Sequence, residues 1–157
     1  MPRRDDADEA TLIYTDGACL GNPGPGGWAW LVPEGPWKSG CAEMATNQRM
    51  ELTAVLEGLT AIQGPLEVRC DSNYVVKCFN DGWWQAWVRN GWRNSKGKPV
   101  ANRDLWEPLV EMVTRRKDVT FVWVQGHAND PWNAAADRLA VRAARLQLAE
   151  CGPRATL

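Results

Sequence analysis

Thr11-Leu12-Ile13-Tyr14-Thr15-Asp16-Gly17-Ala18-Cys19-Leu20-Gly21-Asn22-Pro23-Gly24-Pro25-Gly26-Gly27 joins an apolar run to an aspartate and then to a segment crowded with glycine and proline. Residues 11–16 read as a strand and Gly17 to Gly27 as a loop. Two further extended runs follow, Trp28 to Val32 and Trp37 to Met44, parted by the turn residues Pro33-Glu34-Gly35-Pro36. Three strands joined this closely predict an antiparallel meander.

Beyond the meander the hydrophobic period changes. A helix is expected from Thr46 to about Ile62, with the apolar stripe Leu52, Val55, Leu56, Leu59 and Ile62, stopped by Gly64-Pro65. Residues 66–70 read as a strand, Ser72 to Phe79 and Asp104 to Thr114 as helices, and Val119 to Val124 as the last strand. Asp130-Pro131 is an N-cap followed by proline at the first helical position, so it opens a terminal helix. This order implies parallel crossovers after the meander. The expected product is an α/β fold: a five-stranded mixed sheet, antiparallel meander plus parallel strands, with helices on both faces.

The 157 residues fit one domain. No apolar stretch approaches the ~20 residues of a membrane span, and the charged segment Met1 to Ala10 lacks the apolar core of a signal peptide. The expectation is a cytoplasmic protein with no membrane partner. The five cysteines form an odd set without a C-x-x-C pair, which argues against a disulfide framework or a zinc site. A net charge of −1 argues against a nucleic-acid binder only if charge is spread evenly, and it is not. Gly82 to Arg103 holds no acid but carries Arg89, Arg93, Lys96, Lys98 and Arg103, interleaved with Trp83, Trp84, Trp87 and Trp92.

Four acids stand at the ends or on the faces of these core elements. Asp16 closes the first strand and Asp71 the fourth, Glu51 borders the inward stripe of the long helix, and Asp137 lies one turn past Asn133 on the terminal helix. Any one of them alone reads as a solvated carboxylate or a cap. Together, carboxylates at the ends of buried elements repel one another unless a cation lies between them, which points to a divalent-metal site.

The opening segment, with Thr46-Asn47-Gln48-Arg49-Met50-Glu51-Leu52, Asp71-Ser72-Asn73-Tyr74-Val75, Trp83…Trp87…Gly91-Trp92, Lys98-Pro99-Val100 and Gly126-His127-Ala128…Asn133…Asp137, resembles type 1 ribonuclease H of the bacterial kind. The likeness runs in order from about residue 11 to 147. It implies a ribonuclease H-like catalytic domain over 11–148, with a basic Trp-rich handle at about 82–103 and tails at 1–10 and 149–157. It also implies a free-standing monomeric endoribonuclease that cuts the RNA strand of RNA–DNA hybrids, leaving 3′-hydroxyl and 5′-phosphate ends, with a role in removing RNA primers and R-loops. The implied cofactor is a pair of Mg²⁺ ions, with Mn²⁺ as an alternative, and carboxylate oxygens suit such hard cations. By this resemblance Asp16 bridges both ions, Glu51 and Asp71 hold one and Asp137 the other, while His127 assists proton transfer or product release.

The same likeness implies substrate contacts. Asn22, Asn47, Gln48 and Asn73, with the backbone near Cys19, match positions that read the minor groove, where the 2′-hydroxyls lie. The plainer reading is that Asn47 caps the long helix and Asn22 belongs to a turn. Trp83, Trp87 and Trp92, with Lys96 and Lys98, would grip the DNA strand, and Thr46, Ser95 and Asn102 would hold one of its phosphates. Of the tryptophans, Trp83 and Trp87 are expected to face the substrate channel and Trp84 and Trp92 to pack inward. Asn133 is a candidate ligand to water or substrate.

Three features depart from the family pattern. Ala18 stands where a serine is common, Gln48 replaces a frequent asparagine, and the handle has Val88-Arg89-Asn90 in place of adjacent lysines. The last of these predicts weak hybrid binding. Other metal nucleases of related fold, such as an integrase, transposase or exonuclease, are not expected to carry both the Gly/Pro segment and the Trp-rich handle. A hybrid-binding module without catalysis is disfavoured by the presence of all four acids.

Overall fold

The structure, a computed structural model, describes residues 9–126 and 129–157. Its sheet has the strands β1 (Thr11–Cys19), β2 (Gly24–Leu31), β3 (Trp37–Ala45), β4 (Leu66–Cys70), β5 (Val119–Trp123) and β6 (Glu150–Gly152). The helices are α1 (Asn47–Ala61), α2 (Asn73–Asn80), α3 (Trp83–Arg89), α4 (Arg103–Arg116) and α5 (Pro131–Leu146). The sheet order is β5-β4-β1-β2-β3-β6, antiparallel from β1 through β3 to β6 and parallel from β1 through β4 to β5. The α/β architecture with a mixed sheet is the expected one, with a sixth strand in place of five. That strand comes from residues read as a tail: Trp37, Lys38 and Ser39 pair with Gly152, Cys151 and Glu150, and Ala155 bridges to Pro33 and is buried.

The Gly/Pro segment is a second correction. Most of it is strand: Gly17 pairs with Trp28, Ala18 with Gly27 and Cys19 with Gly26, leaving a turn only at residues 20–23. Its glycines serve close approach as well as turning. A Cβ on Gly17 would stand 2.3 Å from the Glu51 backbone nitrogen of α1, and one on Gly27 would stand 2.1 Å from the Ala140 carbonyl oxygen of α5. Bare backbone lets a helix press on each face of the sheet. Along β2, Trp28 and Trp30 pack with Met50 and Ala54 of α1, while Leu31 packs with Ala135 and Ala136 of α5.

The long helix begins at an N-cap, Thr46, whose hydroxyl accepts from the Arg49 N–H, so Thr46 and not Asn47 caps it. Leu52, Val55 and Leu59 are fully buried against β1 and β4. Arg116 of α4 closes the other end, donating to the carbonyls of Leu59 and Gly64 at 2.7 and 2.6 Å. Trp106 of α4, wholly buried, anchors the second half of the core and donates its indole N–H to the Tyr74 hydroxyl at 2.8 Å. Asp130 caps α5 through Oδ1, which accepts from the N–H groups of Trp132 and Asn133. Among the described residues, no helix is long and apolar enough to cross a membrane.

Candidate active site

Parallel pairing of β1 with β4 sets their carboxyl ends side by side, the edge of an open α/β sheet where ligands are commonly received. Asp16 lies within β1, two residues past the last pair that β1 makes with β4, and Asp71 is the first residue beyond β4. Gly17 brings the backbone of α1 against β1 at Glu51. Asp16, Glu51, Asp71 and Ser72 crowd round one small gap at this end, too tight to hold a water. Asp137 enters from α5 on the opposite face, near enough to push the Asp16 carboxyl up.

Electrostatics follow from this crowding. Asp16 is 5% exposed. Burial, the charge of Asp71 and the hydrogen bond and charge of Asp137 push its carboxyl up to about 9, against the pull of its bond from the Gly17 N–H. Burial also raises Glu51; the Ser72 hydroxyl opposes that shift and the charge of Asp71 adds to it. Among the described residues, no three acidic, cysteine or histidine side chains stand so as to hold a metal ion together. The donors nevertheless fit a hard divalent cation: they are carboxylate oxygens, gathered and partly desolvated, with no lysine or arginine among the groups that shift Asp16 or Glu51.

Ser72 carries no assigned role in the sequence reading. Its hydroxyl accepts from the Val75 N–H as the cap of α2 while serving Glu51. The signal available was the Asp-Ser pair between a strand and a helix. Gly126 is another neighbour, since a Cβ there would lie 3.5 Å from Asp71 Oδ2. The chain after β5 thus passes the site directly, and Trp123 donates its indole N–H to the Asp71 carbonyl at 3.2 Å. His127 lies outside the described residues. Asn133 is buried, one turn before exposed Asp137, with no partner for its Oδ1 among the described residues.

The groove-reading candidates gather at the start of α1. Asn22 Oδ1 accepts from the Asn47 N–H at 3.2 Å, and Gln48 is exposed beside them. Cys19 is half-buried against the cluster that holds Met50, and Asn73 is exposed at the first position of α2. Thr46 and Asn102 are linked through Arg49, whose backbone N–H donates to the Thr46 hydroxyl and whose guanidinium donates to Asn102 Oδ1. Arg49 is also paired with both oxygens of Asp104. Ser95 sits elsewhere, exposed on the loop that Asn94 shapes by accepting from the N–H groups of Lys96 and Lys98.

Of the four tryptophans of the handle, Trp87 alone departs from the expected division. Trp83 is exposed at the surface and Trp84 is half-buried. Trp92 is only 8% exposed, so it is not a surface contact. Trp87 is half-buried, its ring 5.3 Å from Trp106 and 6.1 Å from Trp92. Trp106 offers an apolar anchor that helical periodicity around residue 87 cannot reveal, and edge-to-face packing on it draws Trp87 inward.

The RNase H family model matches residues 8–145. A ribonuclease H of Thermus thermophilus is 48% identical over 149 residues, covering 91% of this chain and 89% of that protein. The ribonuclease H of a Thermoanaerobacter species is 49% identical over 133 residues, covering 82% and 85%. Among solved structures, LC9-RNase H1, a type 1 RNase H with the type 2 active-site motif, superposes with a TM-score of 0.79 at 28% identity, over 92% of this chain and 78% of that one.

Proposed function

The chain belongs to the ribonuclease H family, and from that premise we propose that it hydrolyses the RNA strand of RNA–DNA hybrids at the Asp16, Glu51, Asp71 and Asp137 cluster. The observation that carries the reading is the burial of Asp16 on β1 beside Asp71, which follows the paired strand β4, with Asp137 of α5 adding to its burden and no lysine or arginine among the groups that shift it.

Asp16 would hold both of two divalent ions, Glu51 and Asp71 one of them, and Asp137 the other. Mg²⁺ is the favoured ion and Mn²⁺ the alternative. When bound, such ions stabilise charge on the attacking and departing oxygens of a phosphodiester and so yield 3′-hydroxyl and 5′-phosphate ends. Glu51 is oriented by the Ser72 hydroxyl, and Asp71 by the strand end that Trp123 secures. His127 would pass a proton or speed product release, and buried Asn133 would orient water or a ligand. Asn22, Asn47, Gln48 and Asn73, with the backbone of Cys19, would read 2′-hydroxyls. Thr46, Asn102, Lys96, Lys98 and Trp83 would meet the DNA strand. A monomer acting on RNA primers and R-loops in the cytoplasm fits this chemistry.

Labelled RNA–DNA, RNA–RNA and DNA–DNA duplexes, each with and without Mg²⁺, test the reading. Cleavage of the hybrid alone, and only with metal, is expected; cutting of any duplex after exhaustive chelation removes it. With its sparse handle, the protein should also show a hybrid KM that climbs with added salt more steeply than kcat falls. A KM that stays flat across the same salt series contradicts charge-borne, weak binding.

A further inference from the structure

Tyr14 stands two residues before Asp16 on the same face of β1, only 3% exposed, yet its hydroxyl is engaged on both sides. It donates to Asp130 Oδ2 at 2.9 Å and accepts from Arg69 Nη1 at 3.2 Å. Arg69 is the partner of Tyr14 in the parallel β1–β4 register, and its guanidinium lies 5.9 Å from the centre of the Tyr14 ring. Its Nε also donates to Glu67 Oε2 at 2.8 Å. Asp130 spends its other oxygen on the first turn of α5.

Each member of this trio precedes one acid of the site. Asp16 is two residues beyond Tyr14, Asp71 is two beyond Arg69, and Asp137 is two helical turns beyond Asp130. The apolar ring of Tyr14 already packs with Leu31, Ala135 and Ala136, so a phenyl group would fill the space. What the hydroxyl adds is direction. A charge-assisted hydrogen bond fixes separation and angle where apolar packing tolerates sliding.

We propose that Tyr14, Arg69 and Asp130 are positioning residues that hold β1, β4 and α5 in the register at which Asp16, Asp71 and Asp137 share divalent cations. The proposal rests on the reading of those acids as cation ligands. The trio acts through the acids and touches no substrate.

Tyr14→Phe keeps the ring and removes the hydroxyl. Asp130→Asn keeps a good helix cap and removes the charge to which the Tyr14 hydroxyl donates. Calorimetric titration of the full chain with Mg²⁺, without nucleic acid, is expected to show affinity weakened about tenfold in both variants. The Mg²⁺ concentration giving half-maximal kcat should rise by a similar factor, with the hybrid KM unchanged. Unaltered Mg²⁺ affinity in both variants, even beside a lower melting temperature, overturns the proposal by making the trio merely structural. If Tyr14→Phe fails to fold, Asp130→Asn decides alone. A wild-type chain that binds no Mg²⁺ defeats the ligand reading itself and takes this proposal with it, a result separate from equal binding by wild type and variants.

Discussion

Asp16→Asn is expected to lower hybrid cleavage by about three orders of magnitude or more while leaving hybrid binding intact. The same change should make the metal-free protein more stable, because it removes the most burdened charge in the fold. Burial, Asp71 and Asp137 raise the Asp16 carboxyl from its ordinary 3.8 to about 9. Between those values the folded chain keeps a proton that the unfolded chain has released. Stability from this group is therefore fully present below about pH 4 and is lost as pH rises to about 9. Asparagine carries no such liability, so the advantage of the variant should grow across that window and level off above it, reaching on the order of 1–3 kcal/mol. Single-turnover cleavage, gel-shift binding and melting curves from pH 5 to 9 in chelator measure all three effects. Cleavage within tenfold of wild type sinks the assignment, and a variant destabilised at pH 9 contradicts the electrostatic account.

Gly17→Ala carries the second large effect, and it acts on fold and site together. The new Cβ would meet the Glu51 nitrogen at 2.3 Å and the Met50 carbonyl carbon at 2.4 Å, both backbone atoms of α1. Neither a central strand nor a helix flank yields easily, so α1 must withdraw by about 1 Å from β1. Overpacking of this kind costs roughly 3 kcal/mol, or about 6–12 °C of melting temperature for a domain of this size. Glu51 would retreat with its helix from Asp16, and a misplacement of that order lowers kcat about a hundredfold. Thermal denaturation and steady-state kinetics report the two effects; a variant that melts and turns over like wild type shows that the close approach is dispensable.

The same glycine explains where the sequence misleads. Read by composition, Gly17 to Gly27 is a loop, because glycine and proline favour turns. Its strand character depends on α1 and α5 pressing on opposite faces, a tertiary demand invisible in local sequence. Asp130-Pro131 succeeded as a helix signal because capping is local. Asp16 and Asp71 were legible because each closes a run with strand character. The Tyr14–Asp130 contact spans 116 positions, and nothing near either residue announces it. Trp87 illustrates a different limit: spacing places it on one helical face with Trp83, but packing on Trp106 and Trp92 draws it inward. Glu150-Cys151-Gly152 has no alternation to mark a strand and becomes one solely by lying along β3.

That last pairing covers part of one side of the sheet. Trp37, Lys38 and Ser39 would otherwise present unspent main-chain donors and acceptors, an open template for a foreign strand. By laying Glu150, Cys151 and Gly152 along them, the chain occupies that seat first, and a second copy is denied it.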